Sequence, residues 1–257
     1  MSVVVTYKWA ANPQDASVGG DGTVDWSRAK ASVSEYDPVA IELGRGLADA
    51  LGTELVGVTV GTKDAAGAMA KKSALSRGLD RAVIVADEAL AGIGSTKTGI
   101  ILGEVVRTVE DVTVILTGDS SVDVGAGLVP GVLAGALGWP LVTDVTAVSG
   151  TPGALTVERK QAGGTQVLSV TGPAVLAVAT DAVQPRVPGM KDILGAGKKP
   201  SQEVALDSLT LPDFVTVEVT ATAKPQLAAR KGEIVDGSDA AAAATQVVGA
   251  LRNANVI

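Results

Sequence analysis

The run ELVGVTVG (residues 54–61), DAAGAMAKKSALSRG (64–78), RAVIVAD (81–87) decides how the chain folds. The first and last pieces are short, apolar and rich in β-branched residues, which reads as buried strand, and the middle piece reads as a helix capped by Asp64. A strand, a helix and a second strand in that order form a parallel βαβ unit, because parallel strands need a crossover between them. The same alternation extends to both sides. SVVVTY (2–7) reads as a strand and DPVAIELGRGLADALG (37–52) as a helix. In that helix Asp37 can cap, Pro38 suits the first turn, and Val39, Leu43, Leu47 and Leu51 make an apolar stripe opposite Glu42, Arg45 and Asp49. TGIILGEVVRTV (98–109) is a further amphipathic helix ahead of the strand VTVILT (112–117).

The expected architecture is α/β: a doubly wound, mostly parallel sheet with helices on both faces. After residue 140, LVTDVTAVSG, ALTVERK, GTQVLSVTG and AVLAVAT are β-like runs separated by glycine turns, which predicts a β-meander extension. From about residue 195 the text loses its period, through GAGKKP, LPDF and AKPQLAARKGEIVDGS, until SDAAAAATQVVGALRNANVI offers a helix capped by Ser238. This divides the chain into a nucleotide-binding α/β domain, 1–195, and an extended C-terminal arm with a helix, 196–257, suited to wrapping a partner.

Composition removes several function classes. The chain has 257 residues, 46% hydrophobic but only 2% aromatic, so its core is built from small aliphatic side chains. Its longest nearly apolar stretch, 128–142, is too short for a bilayer and is broken by Pro130 and Pro140, so no membrane-embedded segment is expected. The first residues lack the pattern of a secretory signal, and the absence of cysteine fits a reducing compartment; both point to the cytoplasm. A net charge of -7 argues against a nucleic-acid partner. With neither histidine nor cysteine there is no Ser-His-Asp triad, no thiolate nucleophile and no zinc site of the usual ligands. Such a chain suits binding better than turnover.

Ligands of open α/β sheets sit beyond the carboxyl ends of the strands. At one such end lies GDSSVDVGAGLVPGVLAG (118–135), where Gly118, Gly125 and Gly127 let backbone approach a ligand at the mouth of a helix. It matches neither GxxxxGKS nor GxGxxG. It is equally readable as a strand-to-helix turn in which Asp123 caps the helix. PRVPGMKDILGAGKKP (185–200) sets a stiff, proline-flanked loop before a single helical turn around Met190, Ile193 and Leu194. That suits protein docking, or else an ordinary loop whose apolar side chains fold back into the core. Tyr7, Trp9 and Tyr36 are scarce aromatics at element ends, suited to packing or to stacking on a planar group. GGDGTVDW (19–26) lacks the ligand spacing of a calcium loop.

Four ordered motifs together resemble the beta subunit of electron transfer flavoproteins: VVVTYK, with Lys8 ending the first strand; SEYDPVAIELGRGLAD; GDSSVDVGAGLVPGVLAGALGWPLVT, similar to the nucleotide loop of the actinobacterial-type form; and ATDAVQPRVPGMKDILGAGKKP, similar to the signature Asn-Glu-Pro-Arg loop that ends in lysines. The resemblance implies a heterodimer with an alpha subunit that holds most of a redox-active FAD. It implies a structural AMP in this chain, a C-terminal region thrown around the partner, and electrons carried from an acyl-CoA or other flavin dehydrogenase to an acceptor oxidoreductase. The protein is then a carrier rather than an enzyme.

By position, the resemblance assigns the nucleotide pocket to Thr6, Ser34, Val60 and the loop Gly118, Asp119, Ser120, Ser121, Val122, Asp123, Val124, Gly125, Ala126, Gly127, Leu128 and Val129. Asp123 is the leading side chain there, and Tyr36 takes the place of an aromatic near the flavin. Docking falls to Pro185, Arg186, Met190, Ile193, Leu194, Lys198 and Lys199, with Met190 as the apolar anchor. Electron-bifurcating relatives, which hold a second FAD in this pocket, tend to carry Asp-Gly-Asp-Thr-Ala-Gln; its absence here favours AMP. Outside the family, the alternative is a stand-alone adenine-nucleotide-binding regulatory module.

Overall fold

The computed structural model describes residues 2–213, 220, 221, 223, 225–227, 229, 230 and 232–257. In chain order it comprises β1 (Ser2–Thr6), β2 (Trp9–Ala11), β3 (Ser17–Val18), β4 (Val24–Asp25), β5 (Ala31–Val33), α1 (Asp37–Leu51), β6 (Glu54–Gly61), α2 (Ala68–Leu75), β7 (Arg81–Ala86), α3 (Ser95–Arg107) and β8 (Val112–Gly118). There follow α4 (Val129–Leu137), β9 (Leu141–Thr151), β10 (Ala154–Gln161), β11 (Gly164–Thr171), β12 (Ala174–Val178), α5 (Met190–Ala196), β13 (Ser201–Glu203) and α6 (Ala240–Asn253). The chain forms two compact units, Met1–Ala221 and a second from residue 222 to Ile257.

In the first unit nine strands form one sheet in the order β11-β10-β9-β12-β8-β1-β6-β7-β13. Every neighbouring pair from β9 to β13 is parallel, and only β9-β10 and β10-β11 are antiparallel. The period of two along each strand divides the core between the faces. Val3, Val5, Val114 and Leu116 join Ile41 and Leu47 of α1 and Leu75 of α2. Val4 and Ile115 join Ile101 and Val105 of α3 and Leu133 of α4 on the other side. Helices therefore cover both faces, as the alternating pattern predicts, and the sheet is doubly wound.

The local expectations need four corrections. Asp37 does not cap α1: Tyr36 occupies the cap position, and Asp37 is the first helical residue, buried. Residues 64–78 are not one helix, because a 3-10 turn over Lys63–Ala66 comes first and α2 starts after Gly67, uncapped by any side chain. α3 begins at Ser95, three residues before the predicted start. Asp239, not Ser238, caps α6, accepting from the Ala241 and Ala242 N–H groups at 2.9 and 3.2 Å.

The run after residue 140 also divides differently. β9, β10 and β11 form an antiparallel meander, while AVLAVAT returns as β12 to the sheet interior, parallel to both β8 and β9. Its five residues are all buried, which is the signature of a central strand covered on both faces. At the opposite edge β13 pairs with β7, and Val204, Leu206, Leu209 and Leu211 pack on the α3/α4 core. Part of what reads as an arm from residue 196 is thus a piece of the first unit. Phe214, Lys224, Ala228 and Lys231, in the expected arm, lie outside the described residues. Among the described residues no helix is long and apolar enough to cross a membrane.

Candidate functional site

From β1 the chain steps to β6 and then to β7 on one side, before α3 carries it back to β8 on the other side of β1. The connections leaving β1 and β8 diverge, and a crevice opens beyond their carboxyl ends. A cavity of about 340 Å³ lies there. β1 and the two residues after it supply Thr6, Tyr7 and Lys8, and β6 supplies Val60 and Gly61. The turn before α3 and its first helical turn supply Leu90, Ile93, Gly94, Ser95 and Thr98, α1 supplies Asp37, and most of the remaining wall comes from the loop between β8 and α4.

Thr6, Val60, Gly118, Asp119, Ser120, Ser121, Asp123, Val124, Ala126, Gly127, Leu128 and Val129 all line this cavity. Ser34, Tyr36, Val122 and Gly125 stand behind the lining. The Ser34 hydroxyl accepts the Val122 N–H at 3.4 Å, and the Gly125 N–H donates to the Ser121 carbonyl at 2.9 Å, so these residues shape the loop. Gly125 and Gly127 have φ of +67° and +61°, the left-handed region in which a side chain is strained. Gly118 is required for space: a Cβ there would lie 2.7 Å from Asp37 Oδ1 and 3.0 Å from Tyr36 Cβ.

Sequence reasoning missed three contributors. Asp37 reads locally as a cap, yet its buried carboxyl faces the cavity, with Oδ2 accepting the Lys8 N–H at 2.7 Å. Lys8 reads as a strand end, yet Nζ lies 2.7 and 2.8 Å from the two Asp123 oxygens. The turn LAGIGSTKT (90–98) carries no helical period of its own; that period becomes clear only after it. Its glycines and hydroxyls directly ahead of an amphipathic stretch were the available signal.

The Lys8–Asp123 pair decides between the two readings of the loop's acid. Asp123 does not cap α4, which starts at Val129 with Leu128 in the cap position and no side-chain cap. Burial opposes its ionisation, but the hydrogen bond and charge of Lys8 outweigh burial and hold the carboxyl below its ordinary range. Asp37 behaves oppositely: burial pushes it up to about 8, against the Lys8 N–H and charge. Asp119 is also pushed up, by burial and then by Asp144. α3 is likewise uncapped by a side chain, so the first-turn N–H groups of two helices approach the same cavity. Uncapped first turns of this kind can receive an anion, while Val60, Leu90, Ile93 and Leu102 offer apolar surface.

The second set of expected site residues lies on another part of the unit. Arg186 forms a two-pronged ion pair with Glu42 of α1, at 2.6 and 2.8 Å, and its N–H donates to the same carboxylate. Lys199 is drawn inward, donating from Nζ to the Leu75 and Leu79 carbonyls at the end of α2. Between these two tethers, Met190 and Leu194 are 74% and 65% exposed, and Ile193 is exposed as well. They do not fold back into the core. Pro185 is partly buried and Lys198 is exposed.

Two features now stand together: a cavity at the switch point of the sheet, and a tethered loop presenting apolar side chains. The family model of the electron transfer flavoprotein domain matches residues 21–209, which includes most of the sheet, the cavity loop and the tethered loop. That match spans well over half of the 257 residues. The chain belongs to the electron transfer flavoprotein domain family.

Proposed function

We propose that this chain is the beta subunit of a heterodimeric electron transfer flavoprotein, of the actinobacterial type, and that AMP fills its switch-point cavity as a structural nucleotide. The observation that carries the reading is the cavity itself. It joins two bare helix N-termini to a close-approach glycine in a chain with no histidine or cysteine, which is equipment for holding a ligand rather than converting it. Its volume of about 340 Å³ lies within the range of small-molecule sites. The Ala126 and Gly127 backbone and the first turns of α3 and α4 would hold phosphate. Val60, Leu90, Ile93 and Leu102 would cover the base.

FAD, held mainly by the alpha subunit, supplies the redox chemistry. This chain's part is to bind that subunit and to present the tethered loop to a dehydrogenase. Val247, Val248 and Leu251 are exposed on α6 at helical spacing, a stripe suited to packing on the alpha subunit.

Co-expression with an alpha-type subunit tests the reading. The expected product is a yellow one-to-one complex that releases one FAD and one AMP on denaturation. Two FAD would replace the proposal by a bifurcating subunit, and a colourless monomer that binds ATP would replace it by a regulatory module.

Met190→Glu should leave the fold intact, because the side chain is exposed, and should slow electron uptake from the dehydrogenase about tenfold or more, as expected for an interface anchor. Stopped-flow flavin reduction measures this. An unchanged rate would remove Met190 from the docking surface.

A further inference from the structure

The loop between β8 and α4 carries the backbone groups on which the nucleotide reading depends, and it has few ties to the body of the unit. Val124, Gly125, Ala126, Gly127 and Leu128 are all exposed. The Gly125 N–H donates to the Ser121 carbonyl, a bond inside the loop, and the bond from the Val122 N–H to Ser34 Oγ is long at 3.4 Å. Asp123 stands immediately before the exposed stretch. Its two oxygens lie 2.8 and 2.7 Å from Lys8 Nζ, and its side chain also bonds Ser121.

Lys8 is itself fixed. Its N–H donates to Asp37 Oδ2 at 2.7 Å, its carbonyl accepts the Ser34 N–H at 2.9 Å, and its charge acts on Asp37 as well as on Asp123. The ion pair therefore runs from the end of β1, inside the sheet, to the last anchored residue of the loop. Lys8 is the single cation among the described residues that line the cavity, where Asp37, Asp119 and Asp123 are the acids.

We propose that the Lys8–Asp123 pair is a latch that positions the β8–α4 loop for a phosphate-bearing nucleotide, and that Asp123 acts through the loop rather than by touching the ligand. This deepens the nucleotide reading and rests on it. A latched loop presents the Ala126 and Gly127 N–H groups already in place, whereas a free loop must be ordered by the ligand itself at the expense of affinity. Charge alone forecasts the opposite: removing the Asp123 carboxylate takes a negative charge from an anion's site and frees a lysine that phosphate could bind.

The test is calorimetric titration of the full chain with AMP. In Asp123→Asn the dissociation constant should rise about tenfold, a coupling usual within one ion-pair network. Lys8→Met should do the same, and the double variant should stay near about tenfold, because either change alone already opens the latch. Lys8→Arg, which can keep the pair, should bind within about threefold of wild type. The Lys8 and Asp123 side chains are 41% and 19% exposed, a setting in which an ion pair adds little stability, so Asp123→Asn should melt within about 4 °C of wild type. Nitrogen relaxation reads the loop directly: the order parameters of the Gly125 and Gly127 amides should fall from about 0.85 to below about 0.6 in that variant.

An unchanged or tighter constant in Asp123→Asn overturns the proposal, the tighter one by showing that Lys8 binds phosphate itself. A loss of about a hundredfold in the double variant, or a loop that stays ordered while affinity falls, overturns it as well and makes Asp123 a ligand contact. Failure of AMP to bind the wild-type chain overturns the nucleotide reading, and the latch's role in binding falls with it, while relaxation still shows whether the pair holds the loop.

Discussion

Replacing Gly118 with alanine is expected to lower the free energy of unfolding by about 1–3 kcal/mol, the usual cost of forcing a methyl into a packed site, and to abolish measurable nucleotide binding. The backbone at Gly118 is not in the left-handed region, so alanine brings no conformational strain, and only space decides. The new Cβ would meet Asp37 Oδ1 at 2.7 Å, Tyr36 Cβ at 3.0 Å and the Tyr36 carbonyl carbon at 3.2 Å. A flexible side chain could retreat, but these atoms cannot easily do so. Asp37 is pinned by the Lys8 N–H and buried, and Tyr36 is the cap residue of α1, whose Ile41 and Leu47 are locked in the core. The strand end and the helix start must separate, and both border the cavity. Urea denaturation and AMP titration measure the two effects. A variant with wild-type midpoint and wild-type affinity would show that β8 and α1 are not held at this distance.

Leu133→Ala should cost more, about 3 kcal/mol within the usual 2–5 for a buried leucine. For a chain of this size that corresponds to a fall in Tm of about 6–12 °C. Leu133 is wholly buried on α4 and belongs to the cluster that includes Ile101, Val105, Ile115 and Val175. Truncation empties the space between α4, α3 and the sheet, which close-packed neighbours cannot refill. The effect should reach the site as well, because α4 starts at the cavity wall and is positioned by this packing. Calorimetry of the full chain measures the loss of stability. A shift under about 2 °C, well short of the loss such truncations bring, would mean that α4 relaxes into the space.

Much of this fold is legible in the residues. Val3, Val5 and Val114, Leu116 alternate with Val4 and Ile115 as a strand covered on both faces requires, and β6 occupies the residues 54–61 that its text marks. Such patterns report which face of an element is apolar, a property the element carries with it. They do not report the neighbour. β12 looks like one more strand of the meander, yet it lies between β8 and β9, because pairing is a choice between strands distant in the chain. β13, three residues long, is too short for any period to mark; its place beside β7 comes from the unpaired edge it meets.

The candidate site divides in the same way. The glycine-rich loop after β8 announces itself by composition, and most of its residues do line the cavity. The turn into α3 and the acid at the start of α1 do not: the turn precedes the clear helical period, and the acid has an adequate local explanation as a helix cap. Asp123 shows the reverse: local reading allows a cap, and only the approach of Lys8, 115 residues away, makes it half of an ion pair.

By itself the order of residues determined the long strands of the sheet, most of the helices and the lack of histidine and cysteine, since these follow from local period and from inventory. The tertiary structure alone decided which strand ends meet, that a Cβ on Gly118 would come within 2.7 Å of Asp37 Oδ1, and that burial pushes the Asp37 carboxyl up to about 8. Desolvation and close approach are properties of a surrounding assembled from the whole chain, and no short stretch of sequence contains them.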